Sequence, residues 1–328
     1  MTLILDLVVR LGAVAAGDTV TLPALTAADV AAARDWCRRT GNTLVHAGAG
    51  QVVVRRGREP DPLAGLPADR RPGTRLWIYT NFDCNLACDY CCVRSSPRAP
   101  RRALGVDQVQ RLVAEAVAAG VTELLLTGGE PFLLPDLDQL IAACAARLPT
   151  TLLTNGMLLR GRRLQLLRAM PRDRVRLQIS LDSATPARHD AHRGPGSWAR
   201  ALAGIRTAVA EGFTVRVAAT LAGTDPAEER QLRVFLATAG IADDDQILRP
   251  LARRGFAETG LVLTTETLIP EVTVTADGVY WHPVGADHDD QLVTRDLFPL
   301  AAAITEVRRR YGDYRDRTDA AAQRFPCA

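Results

Sequence analysis

Thr80-Asn81-Phe82-Asp83-Cys84-Asn85-Leu86-Ala87-Cys88-Asp89-Tyr90-Cys91-Cys92 is the stretch that decides how this chain folds and what it holds. Cys84, Cys88 and Cys91 stand at a C-x₃-C-x₂-C spacing, directly after the apolar run Leu76-Trp77-Ile78-Tyr79. Thiolates this close together at the end of a strand make a soft-metal site. Three of them can hold three corners of a cubic iron–sulfur cluster and leave the fourth iron open. The spacing by itself also permits a structural zinc knot, closed by Cys92 or a histidine.

The bulk properties narrow the field. With 328 residues, 47% hydrophobic and 23% charged, the chain has the make-up of a soluble globular protein with one large domain and room for a small one. Of its seven cysteines, four fall within the nine residues 84–92, which is metal or redox spacing rather than a disulfide framework. The net charge of +3 is too small to argue for nucleic acid. The chain contains no lysine, which excludes a lysine Schiff base and a phosphate-loop lysine. No apolar run approaches the roughly 20 residues of a membrane span, and the N-terminus lacks a secretory pattern. A cytoplasmic location without a membrane partner is expected.

Outward from the cysteine stretch, strands alternate with helices. Strands are predicted at Leu76–Thr80, Glu123–Thr127, Thr150–Thr154, Val175–Leu181, Thr214–Leu221 and Gln246–Leu251, with helices between them. Such alternation implies parallel pairing. Six units are too few for a closed eight-unit barrel, so an α/β fold with a partial (β/α)₆ TIM-like barrel over residues 75–251 is expected. Ligands then bind at the C-terminal ends of the strands.

Residues 1–57 read as a small α/β domain. It contains a capping signal at Thr26, a helix ending at Gly41 and two short strands around the Gly48-Ala49-Gly50 turn. Residues 58–74, rich in Pro, Gly and Arg, read as a linker. In residues 252–328, Asp277-Gly278 marks a hairpin and a helix begins at Leu300.

The cysteine stretch, followed by Gly128-Gly129-Glu130-Pro131, Thr154-Asn155-Gly156 and Ser180-Leu181-Asp182 at successive strand ends, resembles the radical S-adenosylmethionine (radical SAM) superfamily over residues 75–251. The resemblance implies one [4Fe-4S] cluster on Cys84, Cys88 and Cys91, with S-adenosylmethionine chelating the open iron. Reductive cleavage would give a 5′-deoxyadenosyl radical that takes a hydrogen atom from substrate, so the chain is expected to be an oxidoreductase-type enzyme. An external reductant of flavodoxin or ferredoxin type is implied. The expected cofactor contacts are Gly128, Gly129, Glu130, Pro131, Asn155, Ser180, Asp182, Arg193 and Tyr90. Gly128 and Gly129 would bring backbone close to the methionine part. Glu130 would serve the ammonium or buttress the loop. Ser180 and Asp182 share a strand face and suit ribose and carboxylate. Arg193 offers a fork for a carboxylate, or is a surface arginine. Asn155 is a cofactor contact or a turn. Tyr90 and the sixth strand would frame the adenine.

Cys92 points away from the cluster if its loop is extended. Packing, an alternative ligand position and a hydrogen-donor role all remain open for it, and it is the one catalytic candidate. Residues 270–298 resemble the opening of a SPASM or twitch extension, a region whose cysteines hold auxiliary clusters. Here Trp281-His282-Pro283 stands at the cysteine position, and only Cys327 follows. A cap without an auxiliary cluster is expected. His282, Asp287, His288, Asp289 and Asp290 form a polar group that could bind a metal or be a solvated loop. Residues 17–20 and 35–42 resemble a TusA-like sulfur-carrier domain that lacks the Cys-Pro-x-Pro motif. The SPASM-like region implies peptide maturation of the ribosomally made kind. Tailoring of a small metabolite is the alternative, and a structural-metal or sulfur-carrier-like adaptor is the non-enzyme reading.

Overall fold

The computed structural model describes residues 3–24, 26–57, 63, 66–68, 71–223 and 225–324. Cys37 and Cys144 are buried in it, and Cys327 lies outside the described residues. The chain divides into two compact units, Met1–Gly65 and Leu66–Ala328. The division falls within the Pro- and Gly-rich stretch 58–74.

In the first unit, helix α1 (Leu3–Gly12) precedes strand β1 (Thr19–Pro23), helix α2 (Ala27–Thr40) and strands β2 (Thr43–Gly48) and β3 (Gln51–Arg55). The three strands form an antiparallel sheet in the order β1-β3-β2. A reciprocal capping box starts α2: the Asp29 N–H donates to Thr26 Oγ1, and the Thr26 N–H donates to Asp29 Oδ2. Gly41, at φ 72°, ends it in the left-handed conformation glycine tolerates. Cys37 packs with Leu7, Leu11, Val52 and Val54, as a small hydrophobe.

The second unit is built on six parallel strands: β4 (Arg75–Tyr79), β5 (Glu123–Thr127), β6 (Thr150–Thr154), β7 (Val175–Ser180), β8 (Val215–Leu221) and β9 (Gln246–Pro250). The connections carry α3 (Val106–Ala118), α4 (Leu137–Ala145), α5 (Arg162–Ala169), α6 (Pro186–Arg193), α7 (Ser197–Ala210) and α8 (Pro226–Thr238). Leu124, Leu126, Leu152, Leu177, Ile179 and Val217 are fully buried. These near-continuous apolar strands are the signature of a sheet covered on both faces.

The sheet closes no barrel. It is a nine-stranded sheet in the order β12-β11-β10-β4-β5-β6-β7-β8-β9, where β10 is Thr273–Thr275, β11 Gly278–Tyr280 and β12 Leu292–Thr294. The expected C-terminal cap is therefore partly sheet. β10 pairs parallel to β4, with Thr273 opposite Trp77, and the Trp77 N–H donates to Val272 O at 2.9 Å. The reason is the free edge of β4, whose backbone groups need partners. Glu271 reinforces the join by accepting from Trp77 Nε1 at 2.9 Å and pairing with Arg75. Helix α9 is Leu300–Arg324 and starts where the sequence places it. It docks against α3, where the Leu300 N–H donates to Glu115 Oε2 at 2.6 Å. Among the described residues no helix is long and apolar enough to cross a membrane.

Candidate active site

At the C-terminal ends of the parallel strands lies a cavity of about 390 Å³. The loop after β4 supplies Cys84, Cys88, Cys91 and Cys92 to its wall. That loop is not extended. The Cys91 N–H donates to Cys88 O, and the Arg94 N–H donates to Cys91 O, so the chain turns twice and Cys92 also faces the cavity. Burial pushes the Cys84 thiol up to about 12 and that of Cys88 to about 11. Cys84 Sγ accepts the Leu86 N–H at 3.4 Å, and Cys91 Sγ accepts the Ser95 N–H at 3.2 Å. Cys91 and Cys92 also pack against Tyr79, Phe82 and Val93.

The loop after β5 is pressed against the base of the cysteine loop. A Cβ on Gly128 would stand 2.4 Å from Asn81 Oδ1, and one on Gly129 would stand 2.1 Å from Asp83 O. The Gly129 and Glu130 N–H groups donate to Asn81 O and Asp83 O, both at 3.0 Å. The close approach that these glycines permit is thus first to Asn81–Asp83. Gly128 and Gly129 line the cavity, while Glu130 and Pro131 lie behind it.

Glu130 is fully buried, and burial raises its carboxyl above the usual range. It accepts from Thr154 Oγ1 at 2.7 Å, from the Asn155 N–H at 2.8 Å and from the Phe132 N–H at 3.1 Å. It therefore ties the β5 loop to the end of β6. Asn155 carries the tie onward: its Nδ2 donates to Asn85 Oδ1 at 2.8 Å, and its Oδ1 accepts the Met157 N–H. Asn155 is at once a turn residue and part of the cavity wall.

Ser180 lines the cavity and Asp182 lies behind the wall. Asp182 accepts from Arg193 Nε at 2.6 Å and Arg193 Nη2 at 3.1 Å, from the Thr220 N–H at 3.0 Å and from the Tyr90 hydroxyl. Burial pushes its carboxyl up, but the Arg193 charge and these donors hold it below the usual carboxylate range. The fork of Arg193 is thus engaged internally while its edge still lines the cavity beside Cys88. Tyr90 is in the wall with it, its ring 5.5 Å from the guanidinium carbon. His189 and His192 are on α6. His192 Nδ1 pairs with Asp89 at 2.9 Å and so holds α6 to the cysteine loop.

The polar group after β11 does not gather around an ion. Asp287 pairs with Arg94 at 3.0 Å and Asp290 with Arg254 at 2.6 Å, and His282 Nδ1 accepts the Val284 N–H. Among the described residues, no three His, Cys, Asp or Glu side chains converge on one metal-ion position.

Four residues that sequence reasoning passed over matter here. Asn81 is fully buried, and its Nδ2 donates to Asp83 O at 2.9 Å and Glu130 O at 3.2 Å, joining the two loops. Asp89 and Gly255 fix the cysteine loop from outside, and Arg249 reaches the cavity from β9. Only Asn81 carried a signal, as a polar residue wedged between an apolar strand and the first cysteine.

Residues 78–236 match the Radical SAM superfamily model. The chain carries a radical SAM domain. Its cofactors are a [4Fe-4S] cluster and S-adenosylmethionine, and the donor set fits them, with clustered thiols and backbone N–H groups aimed at two sulfurs. A GTP 3′,8-cyclase of Xanthomonas campestris pv. campestris is 34% identical over 217 residues, covering 62% of this chain and 57% of that protein. The antilisterial bacteriocin subtilosin biosynthesis protein AlbA of Bacillus subtilis is 34% identical over 137 residues, covering 41% of this chain and 30% of that one. The chain thus spans well under two thirds of the curated relatives it matches. Streptococcus suis SuiB bound to its precursor peptide SuiA shares the fold, with a TM-score of 0.51 at 21% identity over 60% of this chain and 43% of that one.

Proposed function

We propose that this radical SAM chain reductively cleaves S-adenosylmethionine at a cluster held by Cys84, Cys88 and Cys91, and abstracts a hydrogen atom from a peptide during its maturation. The observation that carries the cluster reading is the arrangement of the thiols. Cys84, Cys88 and Cys91 come from one loop onto the wall of one cavity, two of their sulfurs accept backbone N–H groups, and residues 78–236 match a family that holds a four-iron cluster on such thiolates.

When bound, the cluster would pass on an electron from the reductant and S-adenosylmethionine would supply the cleavable carbon–sulfur bond that makes hydrogen abstraction from an unactivated C–H bond possible. The chain's own residues bind, orient and exclude water. The N–H groups of Leu86 and Ser95 stabilise negative charge on Cys84 and Cys91. Gly128, Gly129, Asn155 and Ser180 line the cavity and would present backbone and short polar side chains to the methionine and ribose parts. Tyr90 offers a flat wall for the adenine. Glu130 and Asp182 position the others, Glu130 through Asn155 and Asp182 through Arg193 and Tyr90. Trp77, Leu86 and Leu153 add apolar surface to the wall, which helps to keep water from the reacting atoms. An external flavodoxin- or ferredoxin-type reductant delivers the electron.

Similarity to AlbA, a protein of bacteriocin biosynthesis, and a shared fold with a peptide-bound SuiB support the peptide reading. The GTP 3′,8-cyclase match favours a small metabolite as the second reading. Anaerobic reconstitution with iron and sulfide should give about four irons per chain and, with dithionite and S-adenosylmethionine, 5′-deoxyadenosine. Stoichiometric zinc without deoxyadenosine would sink the reading. Deuterium transfer into deoxyadenosine from a labelled precursor peptide, compared with labelled nucleotide, separates the two substrate classes.

A further inference from the structure

Apart from its thiols, the cavity wall carries two ionised side chains, Arg193 and Arg249, and no carboxylate. Asp182 neutralises Arg193. The Arg249 guanidinium makes no hydrogen bond or ion pair with any described residue. It comes from β9, at one end of the sheet, and lines the same cavity as the four cysteines of the β4 loop. Asp287, which is not in the cavity wall, gives its Oδ2 to Arg94, while its Oδ1 is buried without a hydrogen-bond partner.

The surroundings of Arg249 are apolar: Pro250, Leu251, Leu261, Leu263 and Val284 complete this part of the wall. A cation in such a wall is solvated while the cavity is open. Once a substrate fills the cavity and displaces water, the cation needs an anionic partner, because an unpaired charge is costly away from solvent. Its planar fork matches a carboxylate with two parallel hydrogen bonds. A single guanidinium balances a single charge, and the other arginine of the wall, Arg193, is already engaged by Asp182.

We propose that Arg249 anchors a carboxylate of the substrate, laying the attached carbon chain against Leu251, Leu261 and Leu263 within the cavity. This rests on the radical SAM reading of the site and names the substrate class more closely: a peptide presenting an acidic side chain or a free C-terminus.

The test uses reconstituted, S-adenosylmethionine-loaded enzyme in equilibrium dialysis against dansyl-leucine and its neutral counterpart dansyl-leucinamide. Wild type should bind the carboxylate probe about tenfold more tightly, the scale of one charge-assisted hydrogen-bonded pair. Arg249→Gln should erase the difference while keeping its affinity for the amide, and Arg249→Lys should keep part of it. Equal affinities in wild type, or discrimination that survives in Arg249→Gln, overturn the proposal. So does displacement of dansyl-leucine by inorganic phosphate and not by acetate. Retention of S-adenosylmethionine, read in the same dialysis, should change by less than about twofold in Arg249→Gln. A larger loss assigns Arg249 to the cofactor, which overturns this proposal and leaves the parent reading standing. Failure of wild type to release deoxyadenosine strikes the parent reading, while the probe discrimination still reports on Arg249.

Discussion

A Cβ added to Gly255 would stand 2.0 Å from the carbonyl oxygen of Cys91. The same oxygen accepts the Phe256 N–H at 3.0 Å. The segment after β9 is therefore pressed onto the backbone of the cysteine loop and fixes where Cys91 and Cys92 sit. Gly255 also has φ +63°, a left-handed conformation that costs about 1–2 kcal/mol for other residues. Gly255→Ala adds this strain to the clash and should displace the loop. We expect less than about half the wild-type iron after reconstitution and a melting temperature lower by about 5 °C. An alanine variant with full iron and an unchanged melt would show that the loop is not held this way.

Asp182 and Arg193 make the second test. Their side chains are 4% and 10% exposed, so each depends on the other for neutralisation. Asp182→Asn leaves a buried guanidinium without a counter-charge, which costs about 3–5 kcal/mol. Tyr90→Phe removes one of several donors to the same carboxylate and costs about 1–2 kcal/mol. Denaturant midpoints should fall at least twice as far for Asp182→Asn as for Tyr90→Phe. Equal losses would mean that the tyrosine hydroxyl, rather than the ion pair, organises this wall.

The six parallel strands were legible because their apolar runs end in short polar motifs. Glu123–Thr127 and Thr150–Thr154 are where the pattern puts them. The pairing of β10 with β4 was not legible, because three residues such as Thr273–Thr275 carry no mark of which edge they join. In the site, the sequence placed Cys84, Cys88, Cys91, Gly128, Gly129 and Ser180 at strand ends, and all of them line the cavity. It did not distinguish residues facing the cavity from those behind it. Ser180 and Asp182 share a two-residue period, but β7 ends at Ser180, so the alternation no longer governs Asp182. Gly255 and Arg249 left no signal, since their importance comes from segments far away in sequence.

His189 sets a pH dependence. It is 1% exposed, and its Nδ1 accepts the Asp182 N–H at 3.1 Å. Burial lowers its pKa from 6.5 to about 4, against the pull of Asp182 and Asp190 and with the push of Arg193 and His192. The unfolded chain takes up this proton below pH 6.5, and the folded chain only near pH 4. Stability from this group is therefore complete above pH 6.5, falls as the pH drops towards 4 and levels off below. At about 1.4 kcal/mol per pH unit, the loss is at most about 3.5 kcal/mol. His282, also lowered to about 4 by burial, adds a loss of the same sign in the same window. His189→Asn keeps an acceptor for the Asp182 N–H and removes the titration. Its urea midpoint should change less between pH 7 and pH 5 than that of wild type. An unchanged difference would remove His189 as a source.

Cys91 and Cys92 compete for the third ligand position, since both face the cavity. The hydrogen bonds separate them. Cys91 Sγ accepts the Ser95 N–H, and Cys84 Sγ likewise accepts the Leu86 N–H. Such N–H donors stabilise a sulfur that carries negative charge on iron. Both thiols pack against the apolar group of Tyr79, Phe82 and Val93, so the Ser95 N–H on Cys91 is what separates the two. We therefore expect Cys92→Ala to keep about four irons per chain, and Cys84→Ala, Cys88→Ala and Cys91→Ala each to lose most of theirs. Cys92→Ala should also keep S-adenosylmethionine binding, so any loss of substrate turnover in it, with deoxyadenosine still released, marks a role for this thiol after cofactor cleavage. Full iron in Cys91→Ala together with loss in Cys92→Ala would move the third ligand by one residue and reverse the assignment.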